Sequence, residues 1–201
     1  MKALLIRHPQ TEWNRAGIIQ GRLDSPWTLR GQEECNALIA GLQAEEVTPG
    51  AVISSPAGRA QQMAARIAAH FACDFQLHDA LQEQHFGELE GRSLSEIQRA
   101  YPPFIDDEHF CPPQGESLAQ AVQRLLTFLH RLPDICSQET VALVSHGHVI
   151  QAVIAQLMEN SLSNVARYHH PNASFSLLAI EAKSCRVMRW GIASHLLRLP
   201  A

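Results

Sequence analysis

The sequence predicts an α/β fold: a single-domain three-layer α/β/α sandwich with a mostly parallel central sheet. Three observations carry that expectation. The runs "ALLI" (3–6), "AVIS" (51–54) and "VALVS" (141–145) are continuously apolar rather than alternating, as strands buried on both faces are. Segments with helical spacing separate them. Towards the C-terminus, "SFSLLAI" (174–180) and "CRVMRW" (185–190) read as a strand and its antiparallel partner.

Each element has its own signal. The first run ends abruptly in Arg7-His8, with Pro9 next, so two polar groups close a buried strand. "SSPAGRAQQMAARIAAHF" (54–71) opens a helix, with a serine as cap and Pro56 near the first helical position. "SLSE" (93–96) fits a capping box. "YPPFIDDEHFCPPQG" (101–115) has four prolines and no period, and is expected to be a lid over the C-terminal strand ends. In "GESLAQAVQRLLTFLHRL", residues Leu118, Val122, Leu125, Leu126, Leu129 and Leu132 form one helical stripe. His146-Gly147 ends the "VALVS" strand and precedes a further helix. No repeat or linker interrupts the 201 residues, so one domain spanning 1–201 is expected.

Composition narrows the function. With 16 basic and 20 acidic residues the net charge is −4, which gives no global attraction to nucleic acid. The five cysteines (35, 73, 111, 136 and 185) form no CxxC pair, so neither a disulfide framework nor a zinc knuckle is indicated. The N-terminal apolar run is too short for a signal peptide or membrane span, and a reduced cytoplasmic setting is expected. His146, His148, His169 and His170 lack a carboxylate or cysteine at recognised ligand spacing, so no metal is expected. His70, His78, His109, His130 and His195 read as surface or packing residues.

In a doubly wound sheet, ligands bind beyond the carboxyl ends of the strands. Arg7-His8, Arg59 and His146-Gly147 all follow strands, and two of them open helices whose free N–H groups favour anions. Their convergence would suit a phosphate dianion. A neutral His8 is a competent nucleophile if its other nitrogen donates a proton and so fixes the tautomer. "LQEQHFGELEG" (81–91) offers Glu83 as an acid for the leaving oxygen, while Glu88 and Glu90 read as a solvated acidic face.

"RHPQTEWN", "QGRLDSPWTLRG", "SSPAGRAQQMA", "EQHFGELEG", "PQGES" and "SHGHVIQ" occur in the order found in the histidine phosphatase superfamily. The chain resembles its phosphoglycerate-mutase-like branch from residue 3 to about 158. The resemblance implies that His8 takes the phosphoryl group, with Arg7, Arg59 and His146 around it and Glu83 as proton donor. It further implies substrate contacts from Asn14, Thr11, Gln20, Gly21 and the Gly147 N–H, and neither metal nor cofactor. Asn14, Thr11 and Gln20 also read as turn or cap residues. Pro9, Gln10 and Gln151 depart from the family's usual Gly, Glu and Arg.

The implied activity is hydrolysis of a small phosphorylated metabolite. Mutase-type phosphoryl transfer and non-catalytic phosphate binding are the alternatives. Gln84 stands where mutases carry an arginine, and their long insertion is missing, which favours a phosphatase. The substrate is expected to be selected by residues 101–115 and 20–27, where Phe104, Phe110 and Trp27 either touch it or pack as core. The partner expected is a small phosphorylated substrate, with no nucleic acid and no membrane; the chain is a monomer or a homodimer.

Overall fold

The computed structural model describes residues 1–102, 107–181 and 184–199. One six-stranded sheet runs in the order β3-β2-β4-β1-β5-β6. Its strands are β1 (Lys2–Arg7), β2 (Ala51–Ser54), β3 (Asp74–Leu77), β4 (Thr140–Ser145), β5 (Phe175–Glu181) and β6 (Ser184–Ile192). The β3-β2, β2-β4 and β4-β1 pairs are parallel, and β5 runs against both β1 and β6. The described helices are α1 (Glu12–Ala16), α2 (Leu29–Ala44), α3 (Gly58–Phe71), α4 (Leu94–Ala100), α5 (Leu118–Ile135) and α6 (Gly147–Glu159).

The continuous apolar runs are central strands because both of their faces are covered. Ala3, Leu5, Val141 and Leu143 pack with α5 and α6 through Leu125, Leu129, Val149 and Val153. The intervening Leu4, Ile6, Ala142 and Val144 pack with α2 and α3 through Leu38, Leu42, Met63 and Ile67. Successive side chains alternate across a strand, so each run feeds two cores. The expected sandwich, strands and α5 stripe are therefore present, and Ser93 and Glu96 form the expected capping box of α4.

The start of α3 differs from expectation. Its N-cap is Ala57, with no side-chain cap, and Pro56 lies outside the helix. The Ser55 hydroxyl does not cap the helix: its oxygen faces His146 Nε2 at 2.7 Å and accepts the N–H of Ala57, the N-cap residue itself, at 3.3 Å. The first helical N–H groups are met from elsewhere: the Asp24 carboxylate accepts the Arg59 N–H at 3.1 Å. Of the expected lid, Tyr101 and Phe110 pack on a small core of Phe86, Leu89 and Ile97, beside the Glu83 segment. Phe104 lies outside the described residues.

Candidate active site

Strand parity builds the site. In β1, Leu5 faces α5 and α6 while Ile6 faces α2 and α3, so Arg7 turns to the first layer and His8 to the second. The parallel partner β4 is in register, with Arg7 opposite Ser145, so His146 emerges beside His8. The two imidazoles lie 5.2 Å apart, edge to face. Both are buried, at 3% and 0% exposure.

Arg59, from the first turn of α3, lies between them. Its Nε donates to His8 Nε2 at 3.2 Å and its Nη2 to His146 Nδ1 at 3.0 Å. The remaining guanidinium N–H groups go to the carbonyls of Gly21 and Leu23 and to Asp24 Oδ1. A guanidinium only donates, so both ring nitrogens that face it are acceptors. The His8 proton is thereby assigned to Nδ1, which lies 2.8 Å from the Pro9 carbonyl. The His146 proton is assigned to Nε2, against Ser55 Oγ. Burial holds both imidazoles well below their usual range, and the Arg59 and Arg7 charges push the same way. Both rings are neutral at pH 7. Pro9 thus keeps the carbonyl that sets the tautomer of His8.

Arg7 approaches from the α6 side. Its Nη1 donates to the His170 carbonyl at 2.5 Å, while its buried Nε has no partner among the described residues. Gly147 allows this approach, since a Cβ there would sit 2.8 Å from Arg7 Nε. Glu83 lies at the same helix end. Its carboxylate accepts the N–H groups of His148 at 3.0 Å, Val149 at 2.9 Å and Gln84 at 3.0 Å. An acidic group is favoured at a helix N-terminus.

The proposed substrate-contact residues are placed unequally. Asn14 is half-buried; its Oδ1 accepts from the Thr11 N–H and from Asn172, which also donates to the His8 carbonyl. Thr11 spends its hydroxyl capping α1. Gln20 Oε1 accepts from Ser25 Oγ. Gly21 serves through its carbonyl, held at φ +52 where a Cβ would strike Glu90. The expectation for Glu90 is corrected: its side chain is 6% exposed, and Oε1 accepts the Arg22 and Phe86 N–H groups, joining two loops of the site. Glu88 is exposed, as expected. Trp27 packs as core, its indole N–H bonded to the Arg59 carbonyl at 3.0 Å.

Sequence reasoning missed Asp24, Ser55, Asn172 and Arg124. Arg124 clamps the Glu83 segment: its Nη1 reaches the Ala80 and Gln82 carbonyls at 2.8 and 3.0 Å, and its Nη2 donates to Glu116 at 2.7 Å. No local pattern marks these residues, because each acts on a partner distant in the chain.

Sheet order and strand-end cluster define the class: an α/β protein with paired, buried histidines bridged by a guanidinium. The profile of the histidine phosphatase superfamily (branch 1) matches residues 3–193, and the chain belongs to that family. It is 29% identical over 201 residues to phosphoserine phosphatase 1 of Hydrogenobacter thermophilus, covering 98% of this chain and 94% of that protein. It is 30% identical to the metal-independent phosphoserine phosphatase of Arabidopsis thaliana, covering 96% and 82%. The solved structure of Bacillus stearothermophilus YhfR matches with a TM-score of 0.88 at 27% identity, covering 97% of this chain and 98% of that one.

Proposed function

We propose that this chain is a metal-independent phosphomonoesterase that passes the phosphoryl group of a small metabolite to His8 and then to water. One observation carries the reading: the Pro9 carbonyl and Arg59 leave His8 Nε2 unprotonated. In the first step the Nε2 lone pair attacks phosphorus and the ester P–O bond breaks. Glu83 gives its proton to the leaving oxygen. Water then attacks the phosphorus of phospho-His8, the P–N bond breaks, and Glu83 takes up the water's proton. Arg7 and the Gly147 N–H hold the phosphoryl oxygens, and Arg59 joins them by turning its Nε and Nη2 from the two histidines to the substrate, which frees the His8 Nε2 lone pair. His146 Nδ1, released in the same movement, accepts from a protonated phosphoryl oxygen, with Asn14, Thr11, Gln20 and Gly21 shaping the rim. Arg7 Nε, buried without a partner among the described residues, is the donor most directly suited to that oxygen load.

Hydrolysis is favoured over mutase transfer because Gln84 is a neutral side chain tied to the Glu116 carbonyl at 3.0 Å, not a cation offered to a carboxylate. Two relatives are named for phosphoserine, which makes it the first substrate to try. A cytoplasmic, reducing setting accords with five free cysteines. Purified protein should release 4-nitrophenol from 4-nitrophenyl phosphate in EDTA, and His8→Ala should abolish release. Sustained turnover by the alanine variant, or binding of substrate without product from the native chain, refutes the proposal.

A further inference from the structure

The loop between residues 20 and 27 grips the residue that bridges the two histidines. The Gly21 and Leu23 carbonyls accept from Arg59 Nη2 and Nη1 at 2.7 and 2.6 Å, and Trp27 donates to the Arg59 carbonyl. Asp24 differs from these. Its carboxylate bonds the Arg59 backbone N–H at 3.1 Å and the Arg59 guanidinium at 3.0 Å, so it holds both ends of one side chain.

Three features make this contact specific. Helix α3 has no cap of its own, and an orphan N–H at a helix start needs an acceptor. Gly58 opens the approach, since a Cβ there would sit 2.3 Å from Asp24 Oδ2. The Arg59 side chain is 1% exposed against 42% for Asp24, so a surface carboxylate anchors a buried cation. Burial lowers the pKa of Arg59, and the hydrogen bond and charge of Asp24 oppose that.

We propose that Asp24 is a positioning residue for phosphoryl transfer. It touches neither substrate nor the reacting atoms. By fixing the start of α3 and the guanidinium plane together, it keeps Arg59 between His8 and His146, where Nε and Nη2 can turn from the ring nitrogens to phosphoryl oxygens when substrate binds. Gly21 and Leu23 offer neutral carbonyls of the same loop, whereas Asp24 supplies a charge-assisted bond, which is about twice as strong.

This rests on the phosphatase reading, so the test carries a readout independent of turnover. Asp24→Ala and Asp24→Asn are compared with the native protein for kcat and KM on 4-nitrophenyl phosphate, affinity for orthovanadate, and thermal midpoint. Asp24→Ala is expected to lower kcat about 30-fold and weaken vanadate binding by a similar factor, with KM changed less than about threefold. Asp24→Asn, which keeps an acceptor in place, is expected to recover about half of that loss on a logarithmic scale. Native-like kcat and vanadate affinity in Asp24→Ala overturn the proposal. So does a loss that vanishes once activity is expressed per folded molecule. Native protein that binds vanadate without turning over substrate defeats the hydrolase reading alone, and Asp24 is then judged on vanadate affinity.

Discussion

Gly147→Ala separates the site from the fold. The added methyl would lie 2.8 Å from Arg7 Nε and 2.9 Å from Arg7 Cζ. Ordinary contacts to carbon are about 3.5 Å or more, so the guanidinium must retreat by roughly 0.7 Å. The obstacle is the end of a side chain, not backbone. Alanine also favours helix over glycine by up to about 1 kcal/mol, less at a first turn. Stability should therefore change by under about 1 kcal/mol. The reacting geometry is less forgiving: a displacement near 1 Å costs up to about 100-fold in rate, so kcat/KM should fall between about 10- and 100-fold. Stopped-flow or plate assays with 4-nitrophenyl phosphate, beside chemical denaturation, measure both. A variant within twofold of native activity would refute the placement of Arg7 against α6 as a functional contact.

Ser55→Ala removes the Oγ partner of His146 Nε2 at 2.7 Å, and kcat should fall about tenfold with the fold retained; unchanged kcat would show that the ring needs no such anchor. Glu83→Gln should cost more with alkyl phosphates than with 4-nitrophenyl phosphate, because only a poor leaving group needs the proton; equal losses would remove Glu83 from that role. Burial pushes the buried His170 imidazole down to about 4 from a usual 6.5. The unfolded chain thus binds the extra proton between those values, and stability falls as pH drops from 6.5 towards 4. This group alone removes about 2 kcal/mol at pH 5. His8 and His146 act with the same sign. Denaturation midpoints that stay level from pH 7 to 4.5 would contradict these assignments, and His170→Gln should flatten part of the slope.

The sequence made β1, β2 and β4 readable because both faces of each are apolar, and α5 because its stripe is unbroken. Three of the described elements escaped, the first being the five-residue α1, too short to show a stripe. All four residues of β3 are exposed, so no buried pattern marks this edge strand. In α2 the buried face includes Gly31 and Glu34 while Leu29 is 80% exposed, which blurs the stripe. Gly31 lies there for a reason local patterns miss: a Cβ would sit 2.2 Å from the Gln10 carbonyl. Among the site residues, those directly at strand ends stood out, since charge after a buried run is conspicuous. Asp24 and Arg124 did not, because their partners lie 35 and about 41 to 45 positions away.

Strand β1 is locked on both edges, Lys2–Arg7 against β4 and Lys2–Ile6 against β5. Neighbours 7 and 8 owe their separate duties to nothing but odd and even count along that ribbon. Inserting or deleting one residue upstream would exchange them, sending the imidazole to the α6 side and the guanidinium towards α3. Length variants of this enzyme should therefore tolerate no change between residues 2 and 8.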